Sequence, residues 1–238
     1  MSDLVCLSLV TDPFGNYMPT TLQECFTDVF FPFKEHFIVD LKLPIGNSIS
    51  KHHRRNAKNA LKVLDVERCA DPAQYVNEWA DLYSVLVERH GIKGLTAFSK
   101  CSFAKQLSVP GLMLFRAMHQ GLTVGMTLWY VQQDKGYYHL GAYSALGYEL
   151  RASFALFWVA IEHLAASGLR WLSLGAGAGV KGDSAEGLTR FKSGWSTQTR
   201  PVYFCGKVFD PNKYQEIRLA KGALVDSYFP AYRSGEFG

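Results

Sequence analysis

The chain has 238 residues, enough for one large domain or two small ones, and its 48% hydrophobic and 19% charged residues exclude an intrinsically disordered protein. The net charge of +4 is a smaller cationic excess than dedicated nucleic-acid binders usually carry, although it suits a protein with an anionic ligand. The five cysteines form no CxxC pair, which argues against a zinc ribbon and predicts free thiols in a reducing compartment.

The sequence offers neither a metal site nor a membrane segment. The seven histidines show no HExxH spacing, and the one close pair, His52 and His53, lies in a basic run that disfavours a metal ion. No apolar run approaches the roughly 20 residues that span a bilayer, and the N-terminus lacks the basic segment of a signal peptide. We therefore predict a cytoplasmic protein with no membrane partner.

In chain order, residues 1–35 are predicted to be an N-terminal extension with an extra strand in LVCLSLV. The main domain is expected over residues 36–226, and a short tail over residues 227–238. A strand at His36–Lys42 precedes a helix in SKHHRRNAKNALKVL, which has one apolar face and one basic face. The basic face of this predicted Lys51–Lys62 helix is made by Lys51, Arg54, Arg55, Lys58 and Lys62.

Later segments change between helical and strand periods. Two helices are predicted, at residues 72–90 and Ser99–Leu107, and three antiparallel strands follow, at Leu112–Met118, Thr123–Val131 and Tyr137–Ser144. After them we expect a long helix at Leu150–Ala166 and a strand at Arg170–Leu174 that opens into a glycine-rich loop. These are followed by a short helix in EGLTRFKSGW, a strand at Thr199–Val208 and a last helix at Pro211–Leu224. This order predicts an α/β domain with a mixed, mostly antiparallel sheet and helices on both faces.

Three stretches of the chain resemble one family of enzymes. They are the basic helix SKHHRRNAKNALK, the helix and strand ELRASFALFWVAIEHLAASGLRWLSLG, and the segment GLTRFKSGWS. With the order of elements, they resemble the GNAT acyltransferase fold, in particular its Fem-type peptidyltransferase and BioF2-like acetyltransferase branch. Trp195 stands where the family signature Gly-Leu-x-x-Phe-Lys-x-Gly-Phe ends in phenylalanine. The resemblance covers roughly residues 36–200, a single GNAT-like domain where Fem proteins usually have two.

The resemblance implies an enzyme that moves an acyl or aminoacyl group from an activated donor to an amine. In the peptidyltransferases that it resembles, the lysine matching Lys192 stabilises charge on the acyl carbonyl. Tyr138 is a candidate to protonate the leaving group, and His139 is a candidate base. Phe191 and Tyr143 are candidate substrate contacts. Neither a Ser-His-Asp set nor a nucleophilic cysteine motif is found, which favours direct attack by the amine in a ternary complex.

The start of the long helix is the candidate donor site. Free backbone N–H groups and the helix dipole suit a helix start to anions, and GNAT enzymes place the pyrophosphate of acyl-CoA there. The candidate residues here are Leu150, Arg151, Ala152, Ser153 and Phe154. The usual Arg/Gln-x-x-Gly-x-Gly/Ala pattern is replaced by GYELRASF, which lacks its glycines and leaves aminoacyl-tRNA open as the donor.

The glycine-rich loop contains a GxGxxG pattern at Gly177, Gly179 and Gly182. A dinucleotide fold needs a following βαβ unit and an acidic residue about 20 positions on, whereas this chain has TQTRPVYF there. We therefore interpret the loop as a place where a strand splays and a substrate approaches the backbone of Gly177 and Gly179.

Other interpretations of the same residues stay open. Lys192 is alternatively a surface lysine beside Arg190, His139 a structural histidine, and the tyrosines core aromatics. The acceptor is expected to be a small-molecule, peptide or cell-wall-precursor amine. Two alternatives to an acyl-CoA-dependent enzyme are a catalytically silent GNAT-like binding module and an aminoacyl-tRNA-dependent peptidyltransferase that contacts RNA through the Lys51–Lys62 helix.

Overall fold

The computed structural model describes residues 4–177, 183–223 and 228–236. The chain divides into two compact units. The larger unit contains residues 37–93 and 97–199, and the smaller unit contains residues 1–36, 94–96 and 200–238. Within the described ranges, no helix has both the length and the apolar character needed to cross a bilayer.

The predicted elements occur in the predicted order, together with short helices that were not predicted. The strands are β1 (Cys6–Val10), β2 (Val29–Asp40), β3 (Asp65–Cys69), β4 (Leu112–His119), β5 (Leu122–Gln132), β6 (Lys135–Tyr143), β7 (Trp171–Ser173) and β8 (Gln198–Val208). The helices are α1 (Pro19–Cys25), α2 (Ile45–Ser48), α3 (Lys51–Ala60), α4 (Val76–His90), α5 (Lys100–Leu107), α6 (Ala145–Glu149), α7 (Ala152–Ala166), α8 (Asp183–Ser193) and α9 (Pro211–Ala220). Short 3₁₀ turns lie at Pro72–Tyr75, Gly94–Thr96 and Ala231–Arg233.

The larger unit is built on a mixed sheet with the strand order β2-β7-β6-β5-β4-β3. Neighbouring strands in it are antiparallel except β6 and β7, which are parallel. The predicted meander is β4-β5-β6, and its first turn is tight because Gln120 and Gly121 both take positive φ angles. The predicted α/β class with a mixed, mostly antiparallel sheet is confirmed.

Helices cover both faces of this sheet, as the sequence predicts. On one face α7 packs over β4, β5 and β6, α3 packs against α7, and α7 contributes buried apolar residues along its whole length. On the other face α4 and α5 pack against buried apolar side chains of the sheet such as Leu114, Met126 and Leu128, and the buried residues of the two helices are Trp79, Leu82, Tyr83, Phe103 and Leu107. Burial of two apolar layers against one sheet is the main stabilising contribution to this unit.

Several helix boundaries differ from those read from the sequence. The basic helix ends at Ala60, before Lys62. The long helix starts at Ala152, because Arg151 has a φ of 58° that separates α6 from α7. The segment predicted as a helix over residues 72–90 is a 3₁₀ turn followed by α4. The predicted end of the last helix, Leu224, lies outside the described residues.

Two irregularities of β6 shape the site. β6 and β7 pair over only three residue pairs, the last being Tyr137 with Ser173, after which β7 ends and β6 continues. The ladder between β5 and β6 shifts by one residue, and His139 is the extra residue of this bulge. Because side chains alternate along a strand, the extra residue brings Tyr138 onto the same face as Tyr143, five positions later.

The smaller unit contains three strands in the order β1-β8-β2, with β1 and β8 antiparallel. Aromatic side chains from β2 and β8 pack together in this unit. The ring centres of Phe31 and Phe204 lie 5.4 Å apart, and those of Phe30 and Tyr203 lie 5.3 Å apart. A few residues of β2 and β8 belong to the larger unit.

Candidate functional site

Lys192 is the charged centre of the candidate site. It lies in the last turn of α8, and only 7% of the residue is exposed. Its Nζ donates a 2.6 Å hydrogen bond to the carbonyl oxygen of Ala176, shortly after the end of β7. The same nitrogen lies 5.7 Å from the ring centre of Tyr138 on β6. The structure therefore places Lys192 where β6 and β7 part.

Two tyrosine hydroxyl groups share the space beside Gly141 on β6. A Cβ added at Gly141 would lie 2.5 Å from the Tyr138 hydroxyl oxygen and 2.7 Å from that of Tyr143. Glycine is thus the residue that leaves room for both phenols. The bulge on β6 brings these two predicted site residues together, and Tyr138 connects the pair to Lys192.

Burial keeps both phenols protonated. It raises the pKa of Tyr138 above the usual value of 10, an effect that hydrogen bonding with Tyr143 partly offsets. For Tyr143, burial is again the largest cause, and the neighbouring phenols and the same hydrogen bond raise the pKa further. At neutral pH both side chains are therefore neutral phenols that can donate hydrogen bonds, and neither is a resting base.

His139 lies on the other face of the sheet. Its Nε2 is 2.9 Å from Oε1 of Gln106 on α5, and its ring centre is 5.1 Å from that of Tyr130. Burial lowers the pKa of this histidine below its usual value. Because His139 is the extra residue of the β6 bulge, its side chain faces α5, and the structure does not bring this predicted base to Lys192 and Tyr138.

An aromatic cluster surrounds the end of α8. The ring centre of Phe191 lies 5.2 Å from that of Phe154 and 4.8 Å from that of Phe157, both on α7. The His53 ring on α3 packs 5.1 Å from Trp195, which follows α8. The predicted substrate residue Phe191 therefore belongs to an apolar wall next to Lys192, where the low dielectric strengthens electrostatic interactions of the lysine.

Trp195 gives a test of this packing. It has 0% exposure, and its Nε1 is one of two buried side-chain donors without a hydrogen-bond partner in the part of the chain that the structure describes. An unpaired buried N–H costs about 1–3 kcal/mol, which offsets the packing lost with a smaller ring. We expect Trp195→Phe to change the free energy of unfolding in urea by less than about 1 kcal/mol.

Trp129→Phe is the matched control. Trp129 is equally buried, but its Nε1 donates a 3.1 Å hydrogen bond to Oγ1 of Thr127. Its replacement removes both packing and a satisfied hydrogen bond, so we expect a loss of about 2–3 kcal/mol. A loss in Trp195→Phe as large as that in Trp129→Phe would contradict the assignment of an unpaired indole.

His53 makes the stability of the fold pH-dependent. The residue is 5% exposed, and burial lowers its pKa below the usual 6.5. The unfolded chain therefore takes up a proton at this histidine at a higher pH than the folded chain. We expect its contribution to be fully present above pH 6.5 and to fall by up to about 1.4 kcal/mol per pH unit below it. Unfolding measured across this range should give a flatter profile for His53→Gln; equal slopes would contradict the assignment.

Arg151 opens α7 in the left-handed conformation, with φ 58° and ψ 41°. Its side chain is exposed, and Nη1 donates a hydrogen bond to Oδ1 of Asn56 on α3. Asn56 is 2% exposed, and its amide nitrogen also lies 3.0 Å from Nε2 of His52. No side chain caps the N-terminus of α7. A helix N-terminus and a guanidinium group are both groups that favour an anion.

The other residues predicted for the donor site divide by burial. Ser153 is partly exposed at the first turn of α7, whereas Ala152 is fully buried. Leu150 and Phe154 pack against the apolar core between α3 and α7. The left-handed turn at Arg151 is a conformation that suits glycine best. The chain thus keeps a glycine-like turn at this helix start without the glycines of the family pattern.

Gly177 follows the carbonyl group that accepts the Lys192 hydrogen bond, and Gly179 lies outside the described residues. Gly175 has a φ of 71°, and a Cβ added there would lie 3.3 Å from the Lys192 Nζ.

Across residues 4–177, 183–223 and 228–236, no cluster of His, Cys, Asp and Glu side chains of the size needed for a metal ion is found.

A basic groove runs along the exposed side of α3. It has a volume of about 400 Å³ and is lined by Arg54, Arg55, Lys58, Asn59 and Lys62. The Arg54 guanidinium also donates a hydrogen bond to the carbonyl oxygen of Gly46. The groove contains four of the cations predicted for the basic face, and its charge suits a polyanionic partner.

A family comparison covers most of the larger unit. The model of the acetyltransferase (GNAT) domain family matches residues 47–193, a stretch that includes Asn56, Tyr138, Tyr143, Arg151 and Lys192. A search of curated proteins gives no match to the chain.

Solved structures with the same fold include FemX, a domain of a putative lysylphosphatidylglycerol synthetase and L-PGS. FemX is 14% identical, with a TM-score of 0.62 over 79% of this chain and 64% of FemX. The C-terminal domain of a putative lysylphosphatidylglycerol synthetase from Agrobacterium fabrum is 16% identical, with a TM-score of 0.58 over 82% of this chain and 65% of that one. The L-PGS of Bacillus licheniformis is 16% identical, with a TM-score of 0.56 over 84% of this chain and 68% of that protein. The chain thus spans less than two thirds of the first two structures, and the likeness is one of fold.

Proposed function

Because this chain belongs to the GNAT acetyltransferase domain family, we propose that it transfers an acyl group from an activated donor to an amine. The observation that carries the proposal is the position of Lys192, a cation with 7% exposure at the point where β6 and β7 part. A cation held in a dry site stabilises negative charge far better than a surface lysine does. Tyr138 and Tyr143 add proton donors next to it.

The proposed reaction is direct attack. The amine nitrogen forms a bond to the acyl carbonyl carbon, and the carbonyl oxygen gains the negative charge that Lys192 stabilises. The bond from this carbon to the leaving sulfur or oxygen then breaks, and the Tyr138 hydroxyl gives its proton to the leaving atom. The tyrosinate takes the proton that the amine nitrogen loses, which restores Tyr138. Phe191 and Tyr143 line the site and exclude water.

The proposed donor is an acyl-CoA. Its pyrophosphate would be held by the first-turn N–H groups of α7, by Arg151 and by the Ser153 hydroxyl. The hydrogen bond from Arg151 to Asn56 supports this role, since it keeps the guanidinium beside the helix start. The free state of the cysteines, Cys6, Cys25, Cys69, Cys101 and Cys205, fits a reducing compartment such as the cytoplasm.

The basic groove on α3 favours a second candidate, an aminoacyl-tRNA donor. Its cations would contact the phosphates of the RNA, and binding would weaken steeply as salt is added. The proposed acceptor is the amine of a small molecule, a peptide or a cell-wall precursor.

Release of free thiol from acetyl-CoA in the presence of a panel of amines tests the proposal. Amine-dependent release would support an acyl-CoA-dependent transferase, and its acceptor would be the amine that gives the highest rate. Transfer from charged tRNA with no thiol release would favour the second candidate. Binding of acetyl-CoA without any transfer would instead favour a catalytically silent binding module and would contradict the proposed reaction.

A further inference from the structure

His53 uses both ring nitrogens in hydrogen bonds while it is almost fully buried. Nε2 lies 2.9 Å from the carbonyl oxygen of Phe191, and Nδ1 lies 2.8 Å from the Ser50 Oγ. A carbonyl oxygen only accepts, so Nε2 carries the proton and Nδ1 accepts from the Ser50 hydroxyl. One neutral tautomer therefore satisfies every polar atom of this side chain.

The Phe191 carbonyl belongs to the peptide bond that connects Phe191 to Lys192. It lies in the last turn of α8, where carbonyl groups lack intrahelical donors. His53 supplies the missing donor from α3. A second bond between the same two segments runs from the Ser50 N–H to the Gly194 carbonyl oxygen, at 3.0 Å. The start of α3 thus holds the end of α8 on both sides of Lys192.

Close packing around the His53 ring also fixes its position. A Cβ added at Gly194 would lie 2.1 Å from an atom of the His53 ring, so the chain after α8 closes directly over the imidazole. On its other sides the ring packs against Phe154, Phe191 and Trp195, with ring centres 5.1, 5.6 and 5.1 Å away. The ring has no space to move without displacing the turn that carries Lys192.

We infer that His53 is the positioning residue for Lys192: it fixes the 191–192 peptide and so the direction in which the Lys192 ammonium group points. The role of Lys192 in this inference rests on the proposed function, whereas the contacts of His53 do not depend on it. His53 does not touch the reacting atoms. Its effect on the reaction passes through Lys192 alone.

The test compares His53→Phe and His53→Gln with the control His119→Phe. Phenylalanine fills the ring site without a donor, whereas the glutamine amide keeps an N–H for the Phe191 carbonyl. His119 also bonds a main-chain carbonyl, that of Val63 at 2.8 Å, but from β4. The first readout is the acetylation of Lys192 by acetic anhydride, which needs no enzyme activity. The reaction is run below the melting temperature of each variant, and peptide mass spectrometry measures its rate. Because His53→Phe removes the bond that fixes the 191–192 peptide, the Lys192 amine should become more accessible, and we expect its acetylation to be about tenfold faster. The other two variants should match the wild type.

The rate of thiol release from acetyl-CoA gives the second readout. We expect His53→Phe to lower this rate about tenfold with unchanged acetyl-CoA affinity, His53→Gln to restore it, and no further loss when His53→Phe is added to Lys192→Ala. Equal losses with and without Lys192, or Lys192 acetylation at the wild-type rate in His53→Phe, would overturn the inference. If no protein releases thiol, the proposed function fails, and the acetylation rates still decide the role of His53.

Discussion

Replacing Lys192 by alanine is expected to lower the rate of acyl transfer by about 10²–10³-fold, the usual effect of removing one preorganised donor from an oxyanion site. Donor affinity should change little, because the proposed phosphate contacts are at the start of α7 and not at the end of α8. Rates of thiol release give the first quantity, and calorimetric titration with acetyl-CoA gives the second.

Lys213→Ala is the control for this substitution. Lys213 is exposed on α9 and pairs with Glu216 at 2.8 Å, so its loss should leave both rate and affinity unchanged. Turnover of Lys192→Ala at the wild-type rate would remove the lysine from the mechanism. A fall in both variants alike would point to a general effect of charge instead of a role at the site.

The second large effect is expected at Gly194. An added methyl group would overlap the His53 ring, with three ring atoms between 2.1 and 2.4 Å from the new carbon. The ring is enclosed, so the strain cannot be relieved by a small side-chain movement. We expect Gly194→Ala to lower the free energy of unfolding in urea by about 3 kcal/mol or more.

Gly187→Ala, on α8 itself, is the matched control. A Cβ at Gly187 meets nothing within 4 Å, and alanine is the better helix former. This variant should therefore gain roughly 0.5–1 kcal/mol. Similar stabilities for Gly194→Ala and Gly187→Ala would show that the chain after α8 does not close over His53 as described.

The fold and its family were predictable because the strongest sequence signals are local. The change from a helical period to a two-residue period marks the meander, and α7 is apolar along most of its length. The GLTRFKSGWS segment identified Lys192 as a candidate, and the family match over residues 47–193 confirms the prediction of a GNAT-type transferase. The burial of Lys192 favours its functional interpretation over that of a surface lysine.

The site geometry was less predictable because one extra residue in β6 reverses the alternation of side chains. From spacing alone, Tyr138 and Tyr143 would face opposite sides, and His139 would share a face with Tyr143. The bulge at His139 joins the two tyrosines and sends the histidine toward α5. No turn residue in YYHLGAY signals this bulge, and Gly141 beside it is the nearest indication.

Two contacts were missed because they join segments far apart in the chain. Asn56 holds Arg151, 95 positions away, and His53 holds Phe191, 138 positions away. Asn56 and His53 both lie on α3, and their helical spacing is the only local signal for them. That spacing predicted the apolar face of the helix but not that these two polar residues would be buried with it. The pairing of the basic-helix motif with the Phe-Lys motif in one site required the tertiary structure.

Calorimetric titration of acetyl-CoA into the wild type, Arg151→Glu and Arg151→Gly tests the central claim most directly. Glycine adopts the left-handed turn without strain and removes the cation, whereas glutamate reverses the charge. We expect saturable binding to the wild type, weaker binding to Arg151→Gly, and a loss of at least about tenfold in Arg151→Glu. Equal affinities for all three proteins, or no binding to any of them, would contradict a donor site at the start of α7.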